Sequence, residues 1–279
     1  MHVLGIDLGG TNVRVGLTDA GEIIRVEETP INKAEDERGV LNCIYQLIDR
    51  FAGENISGVG IGVPSVVDPV RGIVYDVQNI PSWKEVHLKK LLEEKYNLPV
   101  YVNNDANCFA AGEKYFGKAK NYSDCVGLIL GTGVGAGLII NNKLYSGTNC
   151  GAGEFGMLPY KDKTYEAYCS GQYFEWKYKT TGGELYRQAE SGEGEALKIF
   201  SEFGSHVGEL IKVIVYSIDP EIIVLGGSVS KSFRFFRKEM WKSLEEFGYP
   251  KSIEKIMIEV SETEQSAILG AAALFYNEK

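Results

Sequence analysis

The chain has 279 residues, long enough for about two domains and a sizeable buried core. With 44% hydrophobic and 24% charged residues, its composition is that of a soluble globular protein. A net charge of −9 argues against a nucleic-acid-binding surface, and no window approaches the ~20 apolar residues needed to cross a bilayer.

The N-terminus leads straight into a strand, without a basic region, long apolar run or cleavage site. Cys43, Cys108, Cys125, Cys150 and Cys169 show no C-x-x-C spacing and fit reduced thiols, so a cytoplasmic protein is expected. Residues 2–8, 12–18 and 22–28 read as an antiparallel meander turning at Gly9-Gly10-Thr11 and Asp19-Ala20-Gly21. Val40, Leu41, Ile44, Leu47, Ile48 and Phe51 then recur at helical spacing. SGVGIGVPS (57–65) predicts a strand ending in a Gly/Pro turn, and 84–96 an amphipathic helix with Leu88, Leu91, Leu92 and Tyr96 on one face. A short strand, 100–102, should deliver Asn103-Asn104-Asp105 at its C-terminal end, before a helix from Ala106 to about Phe116. Strands follow at 124–130, 134–140 and 143–145, then an irregular Gly-rich region at 146–171. A long helix over 195–217, the strand EIIVLGGS (221–228) and an Ala-rich helix over 265–276 complete the chain.

The plan is used twice. GIDLGGTNVRVG (5–16) recurs as GLILGTGVGAGL (127–138), with Gly5 matching Gly127 and Gly9 matching Gly131. The same shift carries Asp19-Ala20-Gly21 onto Asn141-Asn142-Lys143. Two three-layer α/β domains around a cleft are implied, with ligands gathering at the carboxyl ends of strands. Asp7 in the first copy is Ile129 in the second, so only one half brings a carboxylate that could face a metal ion.

Each Gly turn has two readings: a backbone cradle for an anion, or a tight hairpin requiring positive φ. Asp105 reads either as a helix N-cap or as a general base that takes a proton from an attacking hydroxyl. Glu154, framed by glycines in GAGEFG (151–156), could accept hydrogen bonds from vicinal hydroxyls or lie solvated; Glu166 is equally open. His2, His87 and His206 join no cluster and read as structural or surface residues.

In order, DLGGTNVRVG (7–16), GVPSVVD (62–68), QNIPSW (78–83), NNDAN (103–107), LGTGVGAGLI (130–139), GAGEFG, YEAYCSG (165–171) and DPEIIVLGGSVS (219–230) resemble the ROK family of ATP-dependent sugar kinases. The resemblance implies two actin-like (ribonuclease H-like) ATPase domains. The first spans 1–117, carries the sugar side and first phosphate loop, and is completed by a C-terminal helix at about 265–279. The second, 118–264, carries the second phosphate loop and adenosine site. ROK repressors carry an N-terminal helix-turn-helix; here the first phosphate motif starts at Asp7, so a kinase is expected.

By the same resemblance, Asp105 acts on the sugar hydroxyl, normally O6 of an aldohexose, while Asn104, Glu154 and Glu166 hold other hydroxyls. Met157, Asn79 and Pro64 join the sugar site. Gly9, Gly10, Thr11, Asn12, Gly131, Thr132 and Gly133 embrace the ATP phosphates, Asp7 faces Mg²⁺ through water, and Gly226 and Gly227 border the adenosine. Many members bind a structural zinc through a His and a cysteine-rich segment. Here Met157 fills the His position and LPYKDKTY follows without cysteine, so no zinc is expected. Glucose or a close relative is the implied substrate. An N-acetylhexosamine, fructose or β-glucoside kinase, or a catalytically weak sugar-sensing regulator, stays open. Family analogy implies a homodimer with small-molecule partners only, neither nucleic acid nor membrane.

Overall fold

The computed structural model describes residues 1–9, 11–31, 36–77, 80–148 and 150–278. Its first elements are β1 (His2–Leu8), β2 (Asn12–Asp19), β3 (Glu22–Pro30), α1 (Glu37–Asp49), β4 (Ile56–Val63), β5 (Val66–Asp68), β6 (Ile73–Tyr75), β7 (Glu85–Val86), α2 (Leu88–Tyr96), β8 (Val100–Asn104) and α3 (Asp105–Tyr115). Next come β9 (Cys125–Leu130), β10 (Val134–Ile140), β11 (Lys143–Tyr145), β12 (Pro159–Tyr160), β13 (Lys163–Thr164), α4 (Tyr165–Cys169), α5 (Gln172–Tyr178) and α6 (Gly182–Glu190). The last are α7 (Gly194–Ile218), β14 (Ile222–Gly226), α8 (Phe233–Leu244), α9 (Pro250–Lys255), β15 (Met257–Val260) and α10 (Ser266–Asn277).

Two five-stranded sheets share one plan, β3-β2-β1-β4-β8 and β11-β10-β9-β14-β15. Each sets an antiparallel hairpin beside parallel strands: β1 runs antiparallel to β2 and parallel to β4, and β14 runs parallel to β9 and β15. The repeated motif thus marks a repeated strand order. Its constant shift breaks at the hairpin turn, because β2 has 8 residues and β10 has 7. The left-handed turn pair is Ala20-Gly21 (φ 49° and 95°) in the first copy but Asn141-Asn142 (φ 52° and 67°) in the second. Asn tolerates that conformation through its short polar side chain.

The chain divides into two compact units. One comprises Met1–Ser123, Gly137–Ala152 and Glu262–Lys279; the other comprises Asp124–Ala136 and Gly153–Ser261. Residues 137–152 therefore group with the first unit rather than with the expected 118–264 domain. Within that unit, a Cβ on Gly137 would lie 2.5 Å from the Ala106 carbonyl oxygen, so β10 ends hard against α3. Lys114 Nζ also donates to Asn142 Oδ1 at 2.8 Å, and the Leu144 N–H to Asn277 Oδ1 at 2.9 Å.

In the first unit α1 buries Val40, Leu41, Ile44, Leu47 and Ile48, the stripe its spacing predicts; Phe51 is buried but lies past the helix end. α10 lies flat on β1 and β4 because glycine leaves room: a Cβ on Gly5 or Gly60 would meet the helix carbonyl oxygens of Ile268 or Ala271 at 2.1 or 1.8 Å. The helix expected over 84–96 begins only at Leu88, since Glu85 and Val86 pair instead with Tyr75 and Val74. That small sheet, β5-β6-β7, carries too few residues per strand for a period to be read.

In the second unit, α7 packs on α8 through buried Phe200, Phe203 and Phe236. Gly204 allows the approach, since a Cβ there would sit 2.3 Å from the Phe236 carbonyl oxygen. The stretch 146–171, expected to be irregular, contains the β12–β13 hairpin, a short 3₁₀ turn at Phe155–Met157 and α4.

Candidate active site

In the first unit the parallel strands β1, β4 and β8 end in register: Asp7 pairs with Gly62, and Gly62 with Asn103. Asp7 and Asn103 are thus two strand spacings apart, about 9.5 Å. Asp105 follows at the first turn of α3. The N-cap is not Asp105 but Asn104, whose Oδ1 accepts from the Asn107 N–H at 2.8 Å. Freed from that role, Asp105 is exposed, although Asn103, Asn104, Ala106 and Asn107 around it are buried. Desolvation by this protein surround lifts its carboxyl above the usual range, and the Asp7 charge lifts it further. Backbone N–H groups, Ala106's among them at 2.9 Å, pull in the opposite direction. A carboxylate reachable from outside and made more basic by its surroundings suits proton abstraction.

Asn103 fastens this corner. Its Oδ1 accepts from the Asn104 N–H (2.9 Å), Asn107 Nδ2 (2.9 Å) and Cys150 Sγ (3.0 Å), and its Nδ2 donates to Ser146 (3.1 Å). Cys150 itself holds φ at 58°, a strained value for a side-chain-bearing residue just before GAGEFG.

Asp7 does not stand alone. Arg14 donates to its Oδ2 from Nε at 3.0 Å and Nη2 at 2.5 Å. The two residues are direct cross-strand partners because the hairpin pairs Leu8 with Val13, one residue off the register that a Gly9-Gly10-Thr11 turn implies. Arg14 neutralises the carboxylate and occupies one oxygen.

The Gly loops are only partly free to bind an anion. Gly9 donates its N–H to Asn12 O and Gly131 to Gly133 O, both at 3.0 Å, so those two groups close their own hairpins. In the first unit Thr11 is exposed; in the second Thr132 is exposed and Gly133 half-buried. The positive-φ reading fails at Gly9, Gly131 and Gly133, none of which is left-handed. At Gly133 a Cβ would lie 2.5 Å from Glu166 Oε2, so a side chain there would push that carboxylate aside. At Gly131 the nearest neighbour would be a methyl 3.9 Å away. Neither strain nor crowding demands glycine there.

Within the second unit a cavity of about 490 Å³ opens beside this loop, walled by Gly131, Thr132, Gln172, Tyr186, Val229 and Lys231 among others. Its volume suits a nucleotide-sized ligand. Gly226 ends β14 buried and Gly227 turns at φ 84°; the cavity wall begins at the next residue, Ser228. Glu166 Oε2 accepts from the Val134 N–H at 3.0 Å. Glu154 and Met157 are exposed, at the start and end of the 3₁₀ turn, and in the first unit Pro64 follows β4 half-buried. Gly10 and Asn79 lie outside the described residues. Sequence reading missed Arg14, Asn103, Gln172, Tyr186 and Lys231; the last three are dispersed along the chain and carry no motif.

Among the described residues no group of three or more His, Cys, Asp or Glu side chains could hold a metal ion. The loop that lacks the cysteine segment is instead a hairpin closed by rings. Tyr160 stacks on Tyr165 with centroids 4.3 Å apart, meets Tyr168 and His206 edge-on, and bonds His206 Nδ1 through its hydroxyl at 3.0 Å. No helix among the described residues is long and apolar enough to cross a membrane.

The ROK family model matches residues 3–278. A xylose repressor of Caldicellulosiruptor bescii is 27% identical, covering 99% of this chain and 78% of that protein. An N-acetyl-D-glucosamine kinase of Pectobacterium atrosepticum is 32% identical over 81% of this chain and 83% of its own. Among solved structures, a ROK family glucokinase from Streptomyces griseus in complex with glucose and AMPPNP superposes with a TM-score of 0.79 at 26% identity, covering 98% and 99% of the two chains.

Proposed function

The chain belongs to the ROK family, with the actin-like ATPase fold, and from that premise we propose that it is an ATP-dependent hexose kinase. It transfers the γ-phosphoryl group to the 6-hydroxyl of glucose or a close relative. The observation that carries this reading is Asp105: exposed, relieved of capping by Asn104, and raised in basicity just past the end of β8, two strands from Asp7 on β1. Asp105 takes the proton of the acceptor hydroxyl as its oxygen attacks phosphorus; phosphoryl transfer otherwise asks the protein mainly for positioning and charge. Asn104 has spent Oδ1 on its helix, which leaves its Nδ2 to donate to the sugar. Glu154 and Glu166 accept from other hydroxyls.

Thr11 in the first unit and Thr132 and Gly133 in the second are assigned to phosphate, the missing side chain of Gly131 lets a ligand come close, and the cavity beside it takes the nucleoside. Mg²⁺, when bound with ATP, neutralises the phosphate oxygens; Asp7 faces it through water, tempered by Arg14. Met157 cannot donate a hydrogen bond to the sugar near C2, so this position does not select among glucose, 2-acetamido sugars and fructose in that way.

A second reading, a sugar-sensing regulator with weak chemistry, is favoured by the repressor relative. ADP release measured against hexoses, hexosamines and β-glucosides separates the two. Turnover is expected on glucose or a near relative, falling by about 100-fold or more in Asp105→Asn with sugar binding retained. Absence of turnover on every sugar would remove the kinase reading, and an active Asp105→Asn would remove the base.

A further inference from the structure

Glu166 is built into the phosphate loop as well as offered to the sugar. Besides taking the Val134 N–H on Oε2, it accepts Gln172 Nε2 on Oε1 at 3.2 Å, and the same amide donates to the Thr132 carbonyl at 3.2 Å. One residue away, the Gly171 N–H donates to the Gly131 carbonyl at 2.7 Å. Ser170 Oγ receives the Gln172 N–H at 3.2 Å and holds the start of α5 in place. Loop 131–134 is therefore clasped by one carboxylate and one amide, and Gln172 forms part of the nucleotide-sized cavity wall.

We propose that Gln172 is a positioning residue that makes sugar occupancy and order of the phosphate loop a single equilibrium, with Glu166 as the shared element. A carboxylate has about four acceptor positions, so Glu166 can hold Val134 and Gln172 and still accept a hydroxyl on each oxygen. A sugar bound there fixes the carboxylate; the fixed carboxylate holds Gln172; Gln172 holds the Thr132 carbonyl and with it the amides that meet phosphate. Ordering paid once by the first ligand is not needed again by the second, so each ligand tightens the other, and by the same factor. This rests on the hexose-kinase reading for its sugar arm only.

The test uses the full chain with a non-hydrolysable ATP analogue and glucose, comparing wild type with Gln172→Ala and Gln172→Glu. Without sugar, the analogue should bind about fivefold or more weaker to Gln172→Ala, and weaker still to Gln172→Glu, whose carboxylate faces Glu166 and the Thr132 carbonyl. Hydrogen exchange at 131–134 should quicken in both variants. In wild type, glucose should slow that exchange and tighten the analogue; in Gln172→Ala both effects should vanish while glucose alone binds as before. Unchanged analogue affinity in both variants overturns the proposal, whether or not exchange changes, and so does glucose tightening that survives in Gln172→Ala. If wild type binds none of the hexoses, hexosamines or β-glucosides, the hexose reading fails, and the sugar-free comparison still decides the role of Gln172.

Discussion

His206 offers a stability test confined to one side chain. It is 3% exposed, bonded through Nδ1 to the Tyr160 hydroxyl, and its Nε2 has no hydrogen-bond partner among the described residues. Burial and the nearby charges of Lys161 and Lys177 hold its pKa down to about 4, from 6.5, against the opposing pull of Glu202 and Glu209. The unfolded chain therefore binds a proton as pH falls through 6.5, whereas the folded chain refuses it until about 4. Stability is full above the higher value, declines as pH falls between the two, and levels off below the lower. At about 1.4 kcal/mol per pKa unit, the loss between pH 7 and pH 4.5 comes to roughly 2 kcal/mol. Glu202, held down to about 2, loses its own contribution only at lower pH, so the windows are separable. Urea unfolding across this range should show that dependence in wild type and a profile flatter by about that amount in His206→Phe. Parallel profiles, or an NMR titration in which His206 protonates near 6.5 like an exposed histidine, would refute the assignment.

Gly131→Ala should melt within a few degrees of wild type, because its added methyl meets nothing closer than 3.9 Å, yet raise KM for ATP about tenfold. Gly133→Ala, whose methyl must displace Glu166, should impair the protein more; equal effects on ATP would weaken the argument for a bare backbone at Gly131. Chelation should leave the melting temperature unchanged, since rings rather than metal close the β12–β13 hairpin, and metal analysis should find no stoichiometric zinc. One zinc per chain, or a melt that drops with EDTA, would show the hairpin misread. Tyr160→Ala, by contrast, should destabilise by about 3 kcal/mol, measurable by urea unfolding, through loss of a stacked, half-buried ring and its bond to His206.

Much of this protein is legible without coordinates. The duplicated Gly hairpin announces two related sheets, and the strand–Asn-Asn-Asp–helix junction places a carboxylate at a strand's end. Both signals are local: alternation of apolar residues, turn chemistry and capping act over a few neighbours. The Asp7–Arg14 pair, by contrast, needs a register one residue off the one that the Gly9-Gly10-Thr11 turn implies. Tertiary structure alone decided which residues are free to act. Glu166 is engaged by the Val134 N–H, 32 residues back, and Asn103 by Ser146 and Cys150, more than 40 residues on. It also decided that Glu85 and Val86 leave the expected helix for a three-stranded sheet and that Tyr160 meets His206, 46 residues away. Those outcomes depend on partners far apart along the chain, brought together by burial, and no periodicity within a single segment encodes such a meeting.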